Sequence, residues 1–379
     1  MFGKINVFRV MFFASSVLLI SYSLVFSGMG LASTPMNLGG ALDIVVEINP
    51  EDFSESEFEL RAFEVNFGAA VDPYFDMLAT LAYHEGEIEF EEAWVSAILP
   101  WNFKLQVGRE MLPFGYLNRI HEHDFPQVDQ PYVIEGLTTD HGLIGDGGHL
   151  EFLAPFYNPT FTLNFGLYQN VGHSVGRRID GYPLMGRIQS YFQSLNGNHQ
   201  FLVGASYLTG VHNVDHMEGR LNDRNRTSDR RALGKINHMA GVDFKYRLSP
   251  STGQTYRGLV VGAEYLYKDY VPYKNHVHYD DDPEFDPGSD QGLYLYTQWN
   301  LNRFWGIGYR LDYTDVLFSN LNADNEKLTA HSIYGEWRAT EFSRIRLQYQ
   351  NVTEPGEDSE HKVMLQGTFF IGWHPPHRF

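Results

Sequence analysis

Cysteine is absent from all 379 residues of this chain, so no disulfide can stabilise its fold. Basic side chains are also scarce, with 28 lysines and arginines against 47 aspartates and glutamates and a formal net charge of −19. Because phosphate groups are bound by basic surfaces, this balance argues against a nucleic-acid partner. Apart from one stretch near the N-terminus, no apolar run is long enough to cross a bilayer as a helix.

Motifs of catalysis are missing as well. The sequence has no G-x-S-x-G turn for a serine nucleophile and no H-E-x-x-H helix for a zinc enzyme. The glycine-rich segment around Gly147 precedes no helical pattern, so a phosphate-binding loop is not indicated. We therefore predict that the protein is not an enzyme and needs no catalytic cofactor.

The N-terminus has the features of a secretory signal peptide. Lys4 and Arg9 give it a positive start, and residues 10–26 form an apolar run that small residues follow at once. A transmembrane helix is the competing interpretation, because the run is roughly long enough to span a bilayer. The small-residue cleavage site favours a signal peptide over residues 1–32, and hence export of residues 33–379.

Beyond this segment, apolar and polar side chains alternate with a period of two. In one segment Trp305 and Ile307 share a face, while Gly308 and Arg310 share the other. Successive side chains of a β-strand point to opposite faces, so each such segment predicts a strand with one apolar face. The alternation slips within the second and fourth segments, which indicates either a β-bulge or a wrongly assigned strand at each. Strands are predicted near residues 37–47, 57–68, 74–84, 88–98, 102–110, 147–153, 160–169, 182–192, 199–209, 235–248, 256–268, 290–300, 303–315, 329–338, 342–352 and 361–373.

The connections between these segments alternate in length. Every second connection is a short turn rich in Pro, Asn, Gly and Ser, and the others are long except at residues 84–87. A soluble sandwich of two sheets gives no reason for this alternation, whereas an outer-membrane barrel has short periplasmic turns and long extracellular loops. We therefore predict an all-β fold, a transmembrane antiparallel β-barrel of about 16 strands in contact with lipid of the bacterial outer membrane. Such a barrel leaves an aqueous channel, so the expected function is passive diffusion of small hydrophilic solutes or ions.

Charged residues of the predicted wall leave two interpretations open. Six basic residues are expected to face the lumen, because charge is costly on the lipid face. They either create a transverse field opposite an acidic loop or pair with carboxylates of neighbouring strands. Acidic stretches at 51–59, 85–92, 280–290 and 354–360 likewise fit a solvated surface or a vestibule that attracts cations. The six basic residues are Arg187, Lys245, Arg247, Arg310, Arg344 and Arg346.

The longest connection, residues 111–146, resembles part of a known family. Residues 107–115 (VGREMLPFG) and 369–379 resemble phosphate-selective porins of the O and P type. Residues 121–131 (HEHDFPQVDQP) are more similar to a group labelled zinc-regulated outer-membrane receptors, although no room for a TonB plug domain precedes the first strand. The resemblance implies that this loop folds into the barrel and constricts it. It also implies a homotrimer, as is common among those porins.

The charge of this loop departs from the pattern of the phosphate-selective porins, in which arginines and lysines line the constriction. Here two arginines and no lysine stand against seven acidic residues between positions 109 and 146. We therefore expect a preference for cations rather than for phosphate. The loop residues expected to line the constriction are Arg109, Glu110, Arg119, His121, Glu122, His123, Asp124 and Asp129.

Histidines of the same loop could bind a divalent cation such as zinc. The candidate ligands are His121, His123, Asp124 and His141, because imidazole and carboxylate groups are common zinc ligands. A spacing of two places His121 and His123 on one side only if the segment is extended, so lining the pore without binding metal is the other interpretation. A metal-linked uptake or binding protein is accordingly the alternative to a passive channel.

Overall fold

The computed structural model describes most of the predicted barrel. The predicted signal peptide (1–32), the C-terminal residues 374–379 and His141 lie outside the described residues. Among the residues that are described, no helix is long and apolar enough to cross a membrane. The described stretches are residues 36–51, 53–84, 87–138, 142–169, 171, 179–212, 235–250, 256–271, 289–315, 327–356 and 358–373.

Sixteen antiparallel strands form one closed sheet, in which each strand pairs with its neighbours in sequence. The first and last strands close the ring through pairs that run from Gly39–Gly372 to Ile48–Val363. Closure satisfies the backbone hydrogen bonds of every strand, as a structure surrounded by lipid requires. The predicted sixteen-stranded all-β barrel is confirmed. The strands are β1 (Met36–Ile48), β2 (Glu57–Ala70), β3 (Phe75–His84), β4 (Glu87–Leu99), β5 (Phe103–Met111), β6 (Ile144–Leu153), β7 (Thr160–Gln169), β8 (Ile179–Gln193), β9 (His199–His212), β10 (Lys235–Leu248), β11 (Gly258–Val271), β12 (Ser289–Asn300), β13 (Trp305–Thr314), β14 (Leu328–Thr340), β15 (Ser343–Thr353) and β16 (Glu360–Gly372).

The two faces of the wall follow the alternation of the sequence. On β5, Leu105 and Val107 are exposed on the outer face, whereas Gln106 and Glu110 are buried on the luminal face. An apolar outer surface suits contact with lipid, and a polar inner surface suits contact with water or with a polar loop. Position within each strand therefore tells which predicted site residues can reach the lumen.

Two β-bulges occur where the alternation slips. The register between β1 and β2 shifts after Asp43, which leaves Arg61 as the extra residue of β2. The register between β3 and β4 shifts after Thr80, which leaves Glu91 as the extra residue of β4. An extra residue redirects the side chains around it. Both predicted bulges are confirmed, and both extra residues reach luminal partners.

The connection between β5 and β6 turns back into the barrel. We call residues 112–143 the inner loop, because β5 extends to Met111 and β6 begins at Ile144. Its described part crosses the lumen and forms hydrogen bonds with β9, β11, β13, β15 and β2 of the wall. Its regular elements are two 3₁₀ turns, Leu117–Arg119 and Glu122–Asp124, and one short helix, α1 (Tyr132–Leu137).

The inner loop packs an apolar core against one side of the wall. Phe114 and Leu117 of the loop are buried with Met185, Leu208 and Leu266, which lie on the luminal faces of β8, β9 and β11. This differs from the expectation of a lumen that is wet throughout. The physical reason is that these wall positions face the loop, so that apolar burial stabilises the inner loop inside the barrel.

Candidate constriction site

Glu264 on β11 holds the first turn of the inner loop. Its carboxylate accepts hydrogen bonds from the backbone N–H of Tyr116 at 2.8 Å and of Leu117 at 3.3 Å. The Tyr294 hydroxyl donates a third bond to the same carboxylate at 2.8 Å. Lys245, which was predicted to be luminal, donates from Nζ to the Tyr116 hydroxyl at 2.7 Å. A buried carboxylate of the wall therefore fixes the backbone of the loop directly.

Asp129 docks the far part of the inner loop on β13 and β15. Arg310 lies between two carboxylates, with Nη2 2.7 Å from Asp129 Oδ2 and Nε 2.6 Å from Asp312 Oδ2. Gln350 donates to Asp129 Oδ2 at 2.7 Å. Burial disfavours the ionised form of Asp129, but the Arg310 charge and these hydrogen bonds outweigh it and lower the pKa of this carboxyl.

Acidification is expected to release this docking. Because the pKa of Asp129 is lower in the folded protein than its ordinary value of 3.8, its contribution is complete above that value and is lost as the pH falls through the lowered one. Hydrogen exchange at residues 127–133, corrected for its intrinsic pH dependence, should therefore accelerate below about pH 4. Asp129→Asn should exchange fast at neutral pH and lack the acid step. An unchanged acid step in this variant would contradict the assignment.

Arg344 and Arg346 on β15 also hold the inner loop. Arg346 donates from Nη1 to the Gln127 carbonyl at 2.6 Å, and its Nε lies 3.1 Å from a Glu336 oxygen. Arg344 donates to the carbonyl of His123. These guanidinium groups thus contact the inner loop directly and do not face it across an open pore.

Three other predicted residues lie apart from the constriction. Arg187 is buried and binds both carboxylate oxygens of Asp243, at 2.6 and 2.9 Å. Arg247 shares the luminal phase of β10 but is exposed near the end of that strand. Arg109 lies two residues from Val107, so the alternation of β5 places it on the outer face. The prediction that Arg109 lines the constriction is therefore corrected by its phase in the strand.

Glu110 and His149 form a separate buried pair. His149 Nδ1 lies 2.7 Å from Glu110 Oε1, and the Tyr168 hydroxyl donates to the same oxygen at 2.7 Å. His149 is thereby held away from the other histidines of the loop region. Arg119 lies on the inner loop and lines the larger cavity of the lumen.

His121 and His123 meet a carboxylate of the wall. The 3₁₀ turn Glu122–Asp124 stacks the two imidazoles with their centroids 5.6 Å apart. Glu64 Oε1 on β2 lies 2.8 Å from Nδ1 of His123 and 3.7 Å from Nδ1 of His121. Asp124 Oδ2 lies 3.0 Å from Nε2 of His123. The two histidines therefore share one side of the loop although the segment is not extended.

Two consecutive glutamates of β4 complete the surroundings of His121. Its Nδ1 lies 2.9 Å from Glu91 Oε2, and its Nε2 lies 3.4 Å from Glu92 Oε2. Burial opposes the charged imidazole, but the carboxylates of Glu64 and Glu91 outweigh burial and raise the pKa of His121. At His123, burial is again outweighed, first by Glu64, and the pKa is raised to about 9. The surroundings of both imidazoles therefore favour the protonated ring.

Sequence reasoning missed the three wall glutamates of this cluster. Glu91 and Glu92 belong to the acidic stretch 85–92, and the slip of alternation in the fourth strand was the signal for a bulge beside them. Glu64 carries no comparable signal, because its partners lie in a loop distant in sequence. Of the predicted metal ligands, the structure brings together His121, His123 and Asp124, while His141 lies outside the described residues.

Two cavities of the lumen meet at this cluster. The larger has a volume of about 370 Å³ and extends along the wall as far as Asp76 on β3. The smaller, of about 20 Å³, lies against Ile134 of the loop and has room for roughly one water molecule. Glu64, Met111 and His121 line both cavities, so they form the junction between them.

Comparison with known proteins gives one relative by sequence. No protein-family model matches the chain. A protein of Aquifex aeolicus (strain VF5), described as uncharacterized, is 30% identical over 359 residues, which cover 85% of this chain and 71% of that protein. The chain belongs to the same family as this Aquifex protein. The description of that relative names no activity, so a function for the family has to be argued from the site.

Solved structures share the fold of this family with little sequence identity. Salmonella typhi OmpF in complex with daunomycin has a TM-score of 0.57 at 10% identity, covering 89% of this chain and 98% of that one. An anion-selective porin from Comamonas acidovorans has a TM-score of 0.56 at 10% identity, covering 90% and 100%. In-vitro folded OmpT of Vibrio cholerae, in its trimer form, has a TM-score of 0.54 at 9% identity, covering 89% and 99%. At such identities the likeness shows the fold alone.

Proposed function

We propose that this protein is a channel of the bacterial outer membrane through which small hydrophilic solutes diffuse passively, with a preference for cations. The observation that carries the proposal is the junction of two luminal cavities at Glu64, beside Glu91 and Glu92, inside a closed barrel. An ion that moves between the cavities passes these carboxylates. No catalytic activity is proposed, and export through a cleaved signal peptide stays a prediction from the sequence.

The fold supports a channel but leaves the sign of its selectivity open. The porin of Comamonas acidovorans, which has the same fold, is described as anion-selective. Barrels of sixteen strands are wide enough for an aqueous passage, and the residues at the narrowest part set which ions enter it. The preference of this protein therefore has to follow from the charges at the junction.

Carboxylates outnumber cations at that junction. The charged residues that line the two cavities are one arginine and one histidine, Arg119 and His121, against five carboxylates, Glu64, Asp76, Glu91, Glu92 and Glu122. Arg344 and Arg346 of β15 are already bonded to backbone carbonyls of the inner loop. A narrow passage between low-dielectric walls strengthens such a field, so cations are concentrated and anions are repelled.

Reversal potentials measured in a potassium chloride gradient test this preference. We expect the reversal potential of the purified protein in planar bilayers, with chelator present, to indicate cation selectivity. Glu92→Gln should lower the cation-to-anion permeability ratio by about 5-fold, since a unit charge at about 4 Å in water is worth about 1 kcal/mol. Glu57→Gln removes an equal charge at an exposed position and should change little. An anion-selective wild type would contradict the proposal.

We also propose that the protein forms a homotrimer. The support is the trimer form of Vibrio cholerae OmpT, whose barrel has the same fold, together with the resemblance noted in the sequence. Light scattering of the detergent-solubilised protein gives the mass of the assembly. A mass of one chain would contradict this proposal and leave the channel proposal unaffected.

Metal-linked uptake is a second candidate function. It is favoured by the stacked imidazoles of His121 and His123, which lie in contact with Glu64. If this function holds, zinc should enter proteoliposomes faster than magnesium does, and His123→Ala should remove the difference. Equal fluxes of the two ions through the wild-type protein would leave the passive channel as the better description.

A further inference from the structure

Three donors from the wall and the inner loop converge at the junction of the cavities. Glu64 of β2, Glu91 of β4 and His121 of the inner loop each offer one ligand atom, and these atoms all lie within 4.8 Å of one another. Ligands held about 2.0–2.2 Å from a zinc ion lie roughly 3–4 Å apart. Only a small movement of side chains therefore separates the observed arrangement from a coordination shell.

The three donor residues are buried, and one carboxylate oxygen among them has no hydrogen-bond partner in the described part of the chain. Their exposed fractions are 2% for Glu64, 4% for Glu91 and 8% for His121. Among the described residues, none forms a hydrogen bond with Glu64 Oε2. Its other oxygen contacts both imidazoles, so the carboxylate is directed into the cluster. A buried carboxylate oxygen without a partner is costly, which indicates that a cation belongs beside it.

The β-bulge of β4 builds the acidic side of this site. Consecutive residues of a regular strand point to opposite faces, so Glu91 and Glu92 could not both reach the lumen without an extra residue. The register shift after Thr80 supplies it. As a result, both carboxylates contact His121, at 2.9 and 3.4 Å. The irregularity thus places a pair of adjacent acids against one imidazole.

The two imidazoles cannot balance the charge around them. Four carboxylates lie within 3.7 Å of a ring nitrogen of His121 or His123, whereas two protonated rings carry only two positive charges. A divalent cation in place of the His121 proton adds positive charge and accepts several donors at once. The cluster therefore has the charge as well as the geometry of a cation site.

We propose that Glu64 and Glu91 of the wall and His121 of the inner loop bind a divalent transition-metal ion of the zinc class, with Glu92 as a further donor. Mixed imidazole and carboxylate donors suit zinc and its neighbours, whereas calcium and magnesium prefer shells made only of oxygen. This ligand set differs from one built of loop residues alone, because two or three donors come from β2 and β4. The bound ion links the inner loop to the wall where the two cavities share lining residues.

Metal binding to the full-length folded protein in detergent micelles tests the inference. After metal is stripped with chelator, titration with Zn²⁺ should show one site per chain, and Co²⁺ should give the visible absorption of a low-coordinate site. Glu64→Gln and Glu91→Gln should each weaken Zn²⁺ binding by at least about 10- to 100-fold. Mutating a residue that only hydrogen-bonds to a metal ligand already lowers metal affinity by that factor, so losing a ligand should cost at least as much. Both substitutions keep the size of the side chain, so circular dichroism should show an intact barrel.

His149→Gln is the matched control, because His149 is also a buried imidazole bonded to a glutamate but, within the described part of the chain, has no second carboxylate beside it. It should bind Zn²⁺ as the wild type does. A second readout is stability: saturating Zn²⁺ should raise the unfolding temperature of the wild type and of His149→Gln, but not of Glu91→Gln. Wild-type affinity in both glutamate variants, or an equal loss in His149→Gln, would overturn the site.

The proposed metal site and the proposed channel function can be refuted independently of each other. The metal site lies in the passage of the proposed channel, and a binding measurement tests it without any measurement of conduction. A protein that conducts ions but binds no Zn²⁺ overturns the metal site and leaves the channel. A protein that binds Zn²⁺ through Glu64 and Glu91 but never conducts overturns the channel and leaves the metal site.

Discussion

Replacing residues 113–142 with a short glycine–serine turn is expected to raise the single-channel conductance several-fold. The inner loop fills one side of the lumen with an apolar core and reaches across to Asp129 at the β13–β15 wall. Without it, the sixteen paired strands remain, and a barrel of that size leaves a wide aqueous channel. The loss of the loop should therefore open the passage without unfolding the barrel.

A second shortened connection provides the control. The segment between β1 and β2, residues 49–56, is exposed at Phe53, so shortening it should leave the conductance unchanged. Planar-bilayer recordings of wild type and both variants under one salt condition make the comparison. Equal conductance of the wild type and the loop-replaced variant would mean that the inner loop does not limit the passage.

Arg310→Leu is expected to have the largest effect of any single substitution on the docking of the inner loop. Arg310 is fully buried and forms ion pairs with both Asp129 and Asp312. Its removal leaves the buried carboxylate of Asp312 and the partly exposed carboxylate of Asp129 without a counter-charge, and breaking a buried ion pair in this way costs about 3–5 kcal/mol. Limited proteolysis within the inner loop and hydrogen exchange at residues 127–133 should both become faster, while the strands stay protected.

Two further variants separate loss of charge from loss of packing. Arg257→Leu removes an exposed guanidinium that donates to the Leu301 carbonyl at 3.1 Å, away from the inner loop, and it should leave the loop protected. Combining Arg310→Leu with Asp312→Leu removes the more deeply buried of the two uncompensated charges and should recover part of the loss. A loop that stays fully protected in Arg310→Leu alone would refute the docking scheme.

Strand positions could be predicted because they depend on local rules. Side-chain period and turn composition gave β7 (Thr160–Gln169) and β10 (Lys235–Leu248) with the bounds that the structure shows. The slip of alternation in the second and fourth strands predicted the bulges at Arg61 and Glu91. Such features depend on residues within one strand and its nearest neighbours in sequence, so they can be predicted from the sequence.

The path of the inner loop could not be predicted from the same rules. Its position depends on bonds between residues far apart in sequence, such as those from Tyr116 to Glu264 and from Gln127 to Arg346. The apolar core between the inner loop and the wall could not be predicted for the same reason. Met185 and Leu208 lie at luminal positions, where alternation predicts contact with water, but they belong to the apolar core that includes Phe114 of the loop.

The candidate site was predicted in part. The loop histidines were found from their residue types, and the structure places His121 and His123 together with Asp124. Their wall partners were missed, because no sequence pattern tells that Glu64 on β2 will face a loop that follows β5. The prediction for Arg109 was based on its charge. The alternation of side chains along β5, which places Arg109 on the same outer face as Val107, was not considered.

The central claim is that the passage runs past the junction of Glu64, Glu92 and His121 beside the inner loop. Because the chain has no cysteine, Glu92→Cys would carry the only thiol of the protein. The direct measurement is the current through this variant in a planar bilayer while a bulky, positively charged methanethiosulfonate reagent is added. The account predicts an irreversible fall in current for Glu92→Cys and none for the wild type. A steady current through a variant whose labelling is verified by mass spectrometry would contradict it.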